Sequence, residues 1–497
     1  MNSKPKPPTG AAASHGEITG HFWTPNTPPE QAVGGTLTFD RGRGLRLSLL
    51  NSLDRSDPYA GPEERDVILG ATHQGRPVTL VDCWSTNRSV SGPWIVPQEK
   101  YYVRIAYLGA HLAEASAQRF TTATLTIDTL DAWALTSGIQ THFPPRATDE
   151  STIVWSNPGD VTAGLDGGSV ILDTEIHRQE TLRGASMTER ARLTLELDDP
   201  LTWSELLARF VAPMQNLTTL MVGEPAVLER LIVQSPAAPE PNRPDFLTPI
   251  EVLFDPLGDA APRTDWIKPI LRLSDASVPF EDLVRRWLRI SSDDDLGPVM
   301  SVFFGTQYKS PGFVELRFLM LAVALEAYHR IRNPDRSRED PERFRTRVDV
   351  IRDAAGKDDR LRSKDRGWLK QALKHANDPW LSQRFEDVLV TCRPYLPSPL
   401  DAPRIVAQRL AKTRNHIAHG LLAEDESDDD LSHKSKIEPL LNSERFFAEQ
   451  LLRILLATLL FRELGIPPAT LQQAWRKNGS FGWAWPRIEA VQWVPEA

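Results

Sequence analysis

Three places along the chain set an arginine ahead of a histidine with four to six residues between them: Arg104/His111, Arg409/His416 and Arg414/His419. Only the third has an asparagine directly after the arginine and a glycine directly after the histidine. It reads Lys412-Thr413-Arg414-Asn415-His416-Ile417-Ala418-His419-Gly420. On a helix turning by about 100° per residue, Asn415 and His419 project from one face, and Arg414 reaches round on a long stem. Cleavage of an RNA phosphodiester needs a base for the ribose 2′-hydroxyl and cationic or hydrogen-bonding groups for the phosphorane. Histidine suits the first task because its pKa lies near neutrality. Arginine suits the second because its planar fork matches phosphate oxygens, and Asn415 can orient His419 or donate to a phosphate oxygen. This scheme requires no metal and no other cofactor. His419 sits at the end of the helix, where the macrodipole favours imidazolium; that assists an acid more than a base, so both roles stay open. The plainer reading has Arg414 and His419 capping the helix and pairing with nearby acids.

Other signatures are missing: GxxxxGK[ST], GxSxG and HExxH do not occur. His416 and His419 could ligate a metal by spacing, but no third ligand accompanies them. Glu326 lies on an apolar-striped segment, either facing a site or as a solvated glutamate. Residues 330–374 hold 15 basic and 9 acidic residues, with Tyr328 and Trp368 nearby; they could track an RNA backbone or form an ordinary charged helical surface. Four residues past the motif runs Glu424-Asp425-Glu426-Ser427-Asp428-Asp429-Asp430, a solvated loop or an RNA mimic that holds the site quiet.

The elements that must position these residues fall into two kinds. At 497 residues the chain needs at least two folding units. No apolar run is long enough to cross a membrane. The start, MNSKPKPPTGAAASHG, lacks a secretory core, and the two cysteines, Cys83 and Cys392, allow no disulfide framework. A cytoplasmic protein is expected. The net charge of −9 is uneven: residues 301–497 carry 31 basic and 27 acidic groups, so a polyanion would dock there. Residues 1–16 are expected to be disordered. From Gly34 to about Leu197 the period is two, as in Leu45–Leu49, Tyr101–Ile105 and Leu193–Leu197, which predicts an antiparallel sandwich or barrel-like sheet. Thr202 can cap a helix to about Val222, kinked at Pro213, and a strand follows at Glu251–Phe254. The acidic turn at 291–295 ends a β-rich N-terminal domain spanning 17–295. Beyond Pro298 helical periodicity takes over, at Phe313–Arg332, Pro341–Ala355, Lys364–Ala376, Leu381–Cys392, Ala402–His419 and Ser443–Leu464, predicting an all-α bundle of five or six helices over 299–497. The fold class is α+β multidomain.

Arg414-Asn415-His416-Ile417-Ala418-His419 in a helical bundle resembles the RNxxxH form of HEPN ribonucleases. The wider chain resembles the ApeA-type family of bacterial anti-phage defence proteins. Its cues are Leu108-Gly109-Ala110-His111 leading to Leu130-Asp131-Ala132-Trp133, and Glu315-Leu316-Arg317-Phe318 leading to Leu325-Glu326-Ala327. The resemblance implies an endoribonuclease that works as a homodimer with two motifs facing each other, and Arg414, Asn415 and His419 as its catalytic residues. It also implies abortive infection, in which RNA, tRNA in particular, is cleaved once the N-terminal domain senses a phage-derived protein trigger. Two other classes compete: a catalytically silent HEPN module that only dimerises or binds RNA beside a β-domain ligand sensor, and a β-domain enzyme or carbohydrate binder using Trp84, Trp94 and Trp155, with the helical part as a scaffold.

Overall fold

The computed structural model describes residues 15–40, 42–53, 64–91, 96–143, 151–255, 268–309, 312–420, 438–491 and 493. The chain divides into two compact units, Met1–Ser292 and Asp293–Ala497.

The alternation of the first unit resolves into a closed barrel that runs on into an open sheet. Its first six strands are β1 (His15–Trp23), β2 (Val33–Asp40), β3 (Gly44–Leu49), β4 (Glu64–Thr72), β5 (Pro77–Ser91) and β6 (Val96–Leu108). They pair in the order β6-β3-β2-β1-β4-β5, and β5 pairs again with β6 to close the ring. Every second residue points inward, so Phe22, Leu37, Leu45, Leu47, Ile68, Leu80 and Val103 fill the interior. Glycine is needed where those side chains crowd the wall: a Cβ on Gly70 would meet Phe22 Cδ1 at 2.5 Å, and one on Gly35 would meet Leu49 Cδ2 at 2.7 Å.

On one edge, β6 hands over its partner. Its first part pairs with β3 (Leu45↔Val103), and its last residues, from Ile105 on, pair with a strand at Ile250–Phe254. That handover opens the barrel into a second half-sheet, built from β7 (Arg119–Ile127), β8 (Val161–Leu165), β9 (Gly168–Thr181), β10 (Gly184–Thr202), β11 (Leu228–Gln234) and β12 (Ile250–Phe254), in the order β8-β9-β10-β7-β11-β12. Strand β1 starts at His15, so the last two residues of the tail expected to be disordered over 1–16, His15 and Gly16, belong to a strand; residues 1–14 lie outside the described residues. Thr202 does cap a helix, with Glu205 in a reciprocal capping box. Just upstream of Pro213, which has no N–H to donate, the helix passes through a π turn, Leu207–Val211, before continuing as Ala212–Val222.

The second unit is helical: α1 (Gly297–Tyr308), α2 (Val314–Arg332), α3 (Pro341–Lys357), α4 (Ser363–Lys374), α5 (Leu381–Cys392), α6 (Pro403–Gly420), α7 (Asn442–Glu463), α8 (Pro468–Lys477) and α9 (Gly479–Glu489). Among the described residues this exceeds the five or six helices expected. The extra ones, α1, α8 and α9, open on Gly-Pro, follow a double proline, or contain Gly482 and Pro486. Residues of that kind read as breakers, and tertiary packing overrides them. Helices α2, α5, α6 and α7 form the core. Helix α7 is apolar nearly all round, burying Leu451, Leu452, Leu455, Leu459 and Phe461 among others, as a central helix must.

Candidate functional site

The motif lies on α6. Its buried stripe runs through Val406, Ala407, Leu410 and Ile417, and Arg414 falls between the last two at i+4 and i+7. The stem of Arg414 therefore enters the bundle while its fork reaches the rim. The Nε is buried and has no hydrogen-bond partner among the described residues. The Nη1 donates to Asn415 Oδ1 at 3.2 Å, and Nη2 stands 3.9 Å from Glu326 Oε2 on α2. Asn415 and His416 are exposed on the outer face. His419 belongs to the last turn of α6; its side chain lies outside the described residues, as does the acidic run at 424–430.

Glu326 thus faces the motif. Its other oxygen accepts from Arg330 Nη2 at 3.0 Å, so one carboxylate answers two guanidinium groups. A third approaches from α5. Arg384 is buried, with Nε donating to the Pro379 carbonyl at 3.1 Å. Burial lowers its pKa below the ordinary value, the charge of Arg330 acts in the same direction, and Glu326 opposes both. The sequence reading missed Arg330 and Arg384; a buried arginine on an amphipathic helix leaves no linear signal.

The competing pairs have other occupations. Arg409 is buried, and its guanidinium reaches the Glu438 carbonyl and Glu444 at 3.3 Å each. Thr413 donates to the Arg409 carbonyl at 2.7 Å and accepts from Leu440 N–H at 2.8 Å. Together these bonds fasten α6 to the start of α7. On the barrel, Arg104 pairs with Asp82, and His111 Nε2 lies 2.8 Å from the Gly70 carbonyl.

A second polar cluster lies on α2 and α5. His329 is buried, with Nε2 3.0 Å from Asp387, whose carboxylate also accepts from Arg336 at 2.9 and 3.3 Å. Burial, helped by the charges of Arg384 and Arg336, depresses the His329 pKa against the pull of Asp387. The group borders a cleft of about 590 Å³ that Arg332, Asn333 and Arg462 also line.

Of the tryptophans, Trp84 is half-exposed and stacks on Tyr102 at 5.7 Å. Trp155 donates to Glu189 at 2.6 Å with Arg178 beside its ring, and Trp94 lies outside the described residues. Two clefts of this unit, near Gly16–Arg46 and beside β11, are lined by neither Trp84 nor Trp155. Among the described residues no group of His, Cys, Asp and Glu could hold a metal ion, and no helix is long and apolar enough to cross a membrane.

A β-barrel unit followed by a helical bundle with an arginine–asparagine motif on one core helix defines a two-part chain with a C-terminal HEPN domain. Comparison with known families agrees: residues 17–287 match ApeA N-terminal domain 1, and residues 319–470 match the Apea-like HEPN domain. The chain belongs to the ApeA family, a family of defence-related HEPN nucleases. HEPN domains are generally of the ribonuclease type and typically dimerise and bind RNA. No curated protein and no solved structure matches the chain.

Proposed function

We propose that this protein is an anti-phage effector whose HEPN domain cleaves RNA, tRNA in particular, without a metal ion. The observation that carries this reading is the state of Arg414. Among the described residues its fork is held at the rim of the bundle by Asn415 and a long contact to Glu326, so its charge stays available to a phosphate. In the reaction the ribose 2′-oxygen attacks the adjacent phosphorus, its proton passes to a base, and the 5′-oxygen leaves with a proton. The products carry 2′,3′-cyclic phosphate and 5′-hydroxyl ends. Arg414 stabilises the phosphorane; His419 moves the proton; Asn415 orients the histidine or the phosphate. The exposed Asn415–His416 face leaves room for a second copy, so a two-fold pairing would bring two motifs into one composite site. The β-barrel unit is assigned the sensing of a phage-derived protein.

The test is cleavage of total tRNA and a loop-containing RNA by purified protein in EDTA, with end-group analysis. Arg414→Ala and His419→Ala are each expected to lower the rate by about 10²–10³-fold. Fragments with 5′-phosphate ends would overturn the mechanism. Unaltered toxicity and protection in cells carrying Arg414→Ala would instead favour the catalytically silent module.

A further inference from the structure

Helices α3 and α4 are at odds with the rest of the bundle. Over both, Val348 is the one buried residue, and α4 buries none. Such helices gain little from packing on the bundle, and their side chains are left facing solvent. The excursion is nonetheless firmly built. Asp340 caps α3 by accepting from Glu342 N–H and Arg343 N–H at 3.1 and 2.9 Å. The base is pinned where the chain leaves and returns: Arg338 N–H donates to the Asn377 carbonyl at 2.9 Å, Glu339 N–H donates to Asn377 Oδ1 at 3.1 Å, and the Arg338 guanidinium lies 3.9 Å over the Trp380 ring. The result is a helical arm whose two helices pack on each other.

Its surface is cationic. Residues 341–374 hold 11 basic against 6 acidic side chains. Arg345, Arg352, Lys364 and Lys370 are exposed and make no ion pair among the described residues. Among these charges stands Trp368, 71% exposed. Cations that track a backbone, interleaved with an exposed aromatic ring on which a base can stack, are the two requirements for holding single-stranded nucleic acid. Placement adds the third argument. The arm springs from the C-terminal end of α2 and returns at the start of α5, the helices that bring Glu326 and Arg384 to the motif. Glu326 lies six residues, or about 9 Å of helix, before the end of α2.

We infer that α3 and α4 form an RNA-binding arm that grips single-stranded RNA beside Arg414 and delivers it to the motif. The inference rests on the ribonuclease reading for the fate of the RNA, but not for its binding. Exposed Val350 and Ile351 on α3 offer apolar contact as well; a second copy of the chain is the alternative occupant, and the excess of positive charge on both faces disfavours it.

The experiment measures binding of a fluorescent single-stranded RNA by anisotropy across a salt series, with full-length protein carrying Arg414→Ala so that no cleavage intervenes. Into that protein go Arg345→Ala, Arg352→Ala and Lys370→Ala together, or Trp368→Ala alone. The triple variant is expected to bind at least tenfold more weakly at about 0.1 M salt, with a salt slope shallower by about 2. Trp368→Ala is expected to lose about tenfold with the slope unchanged. The arm substitutions are all at exposed positions, and melting curves check that the fold is kept. Unchanged affinity in a parent that binds RNA would overturn the arm while leaving the ribonuclease intact. A changed mass by light scattering with unchanged affinity would overturn it too, in favour of a homotypic interface. A parent that binds no RNA, from a wild type that cleaves none, would remove both readings.

Discussion

Replacing Glu326 with glutamine keeps the side-chain volume and an acceptor oxygen and removes only the charge. At 3.9 Å from Arg414, with side-chain exposures of 20% and 29%, the pair is partly shielded from water. At an effective dielectric constant of about 20 the gross attraction is about 4 kcal/mol. Screening at the open side and the cost of ordering two long side chains reduce this to about 1 kcal/mol. A second effect has the same sign. Without the carboxylate, Arg330 and Arg414 lose the counter-charge they share, and the Arg414 fork keeps only its bond to Asn415 among the described residues. If Glu326 positions Arg414 for the transition state, a loss of about 1 kcal/mol slows single-turnover cleavage about fivefold. The KM should change less, because the guanidinium still attracts the substrate's charge. The assay is single-turnover cleavage of a loop RNA over a range of protein concentrations, with a thermal melt alongside; the same energy shifts Tm by about 2–4 °C in a unit of this size. Cleavage at or above the wild-type rate would refute the reasoning, since Glu326 would then only restrain Arg414, and a drop of 10 °C or more would assign it a structural role.

Two further outcomes follow from the same geometry. Arg409→Met breaks a buried pair with Glu444 and frees the Glu438 carbonyl, which should cost about 3 kcal/mol and lower Tm by roughly 6–10 °C, without the loss of cleavage by folded protein that Arg414→Ala produces; equal cleavage defects in the two would remove the distinction between the two arginine–histidine pairs. His329 is held neutral by burial, its pKa below the ordinary 6.5. The unfolded chain therefore takes up that proton first, and the contribution of His329 is complete above pH 6.5 and fades as the pH falls through that value. In urea titrations the stability difference between wild type and His329→Gln should narrow from pH 7 to pH 5; a widening difference would mean that an imidazolium–Asp387 ion pair governs the site instead.

The sequence exposed the two-part architecture because each part has one dominant period. Leu45-Arg46-Leu47-Ser48-Leu49 cannot bury its leucines except as a strand, and Phe313–Arg332 carries its stripe at helical spacing. Closure of the barrel was not legible. It depends on β6, already the partner of β5 in a hairpin, reaching back to β3 (Leu45↔Val103) and exchanging that partner near Arg104 for the strand at Ile250–Phe254, long-range choices with no local spelling. Strands β1 and β11 fall outside the stretch from Gly34 to Leu197 that reads as strands, since Gly16 and Gly20 interrupt the first and Glu229-Arg230 breaks the alternation in the second. Glycines that make room for Phe22 look in the sequence like glycines that end a strand.

At the candidate site the limit is sharper, because the bare arginine–histidine spacing treats Arg409 and Arg414 alike. Five residues apart on a helix is a rotation of about 140°. The two guanidinium groups must therefore leave α6 in different directions. One direction meets Glu438 and Glu444 at the entry to α7, where a cation is consumed in holding helices together. The other meets Glu326, already shared with Arg330, where a cation keeps its fork near the surface. Asn415 marks the second direction in the sequence, being the neighbour that can hold the fork from the solvent side at 3.2 Å. What no neighbour in sequence records is the electrostatic frame. Glu326 and Arg384 lie 88 and 30 residues away from Arg414 in the chain, and they reach its surroundings only because α2 and α5 pack beside α6. A motif can thus name the groups that meet the phosphate, while the balance of charge that sets how firmly they are held belongs to the fold.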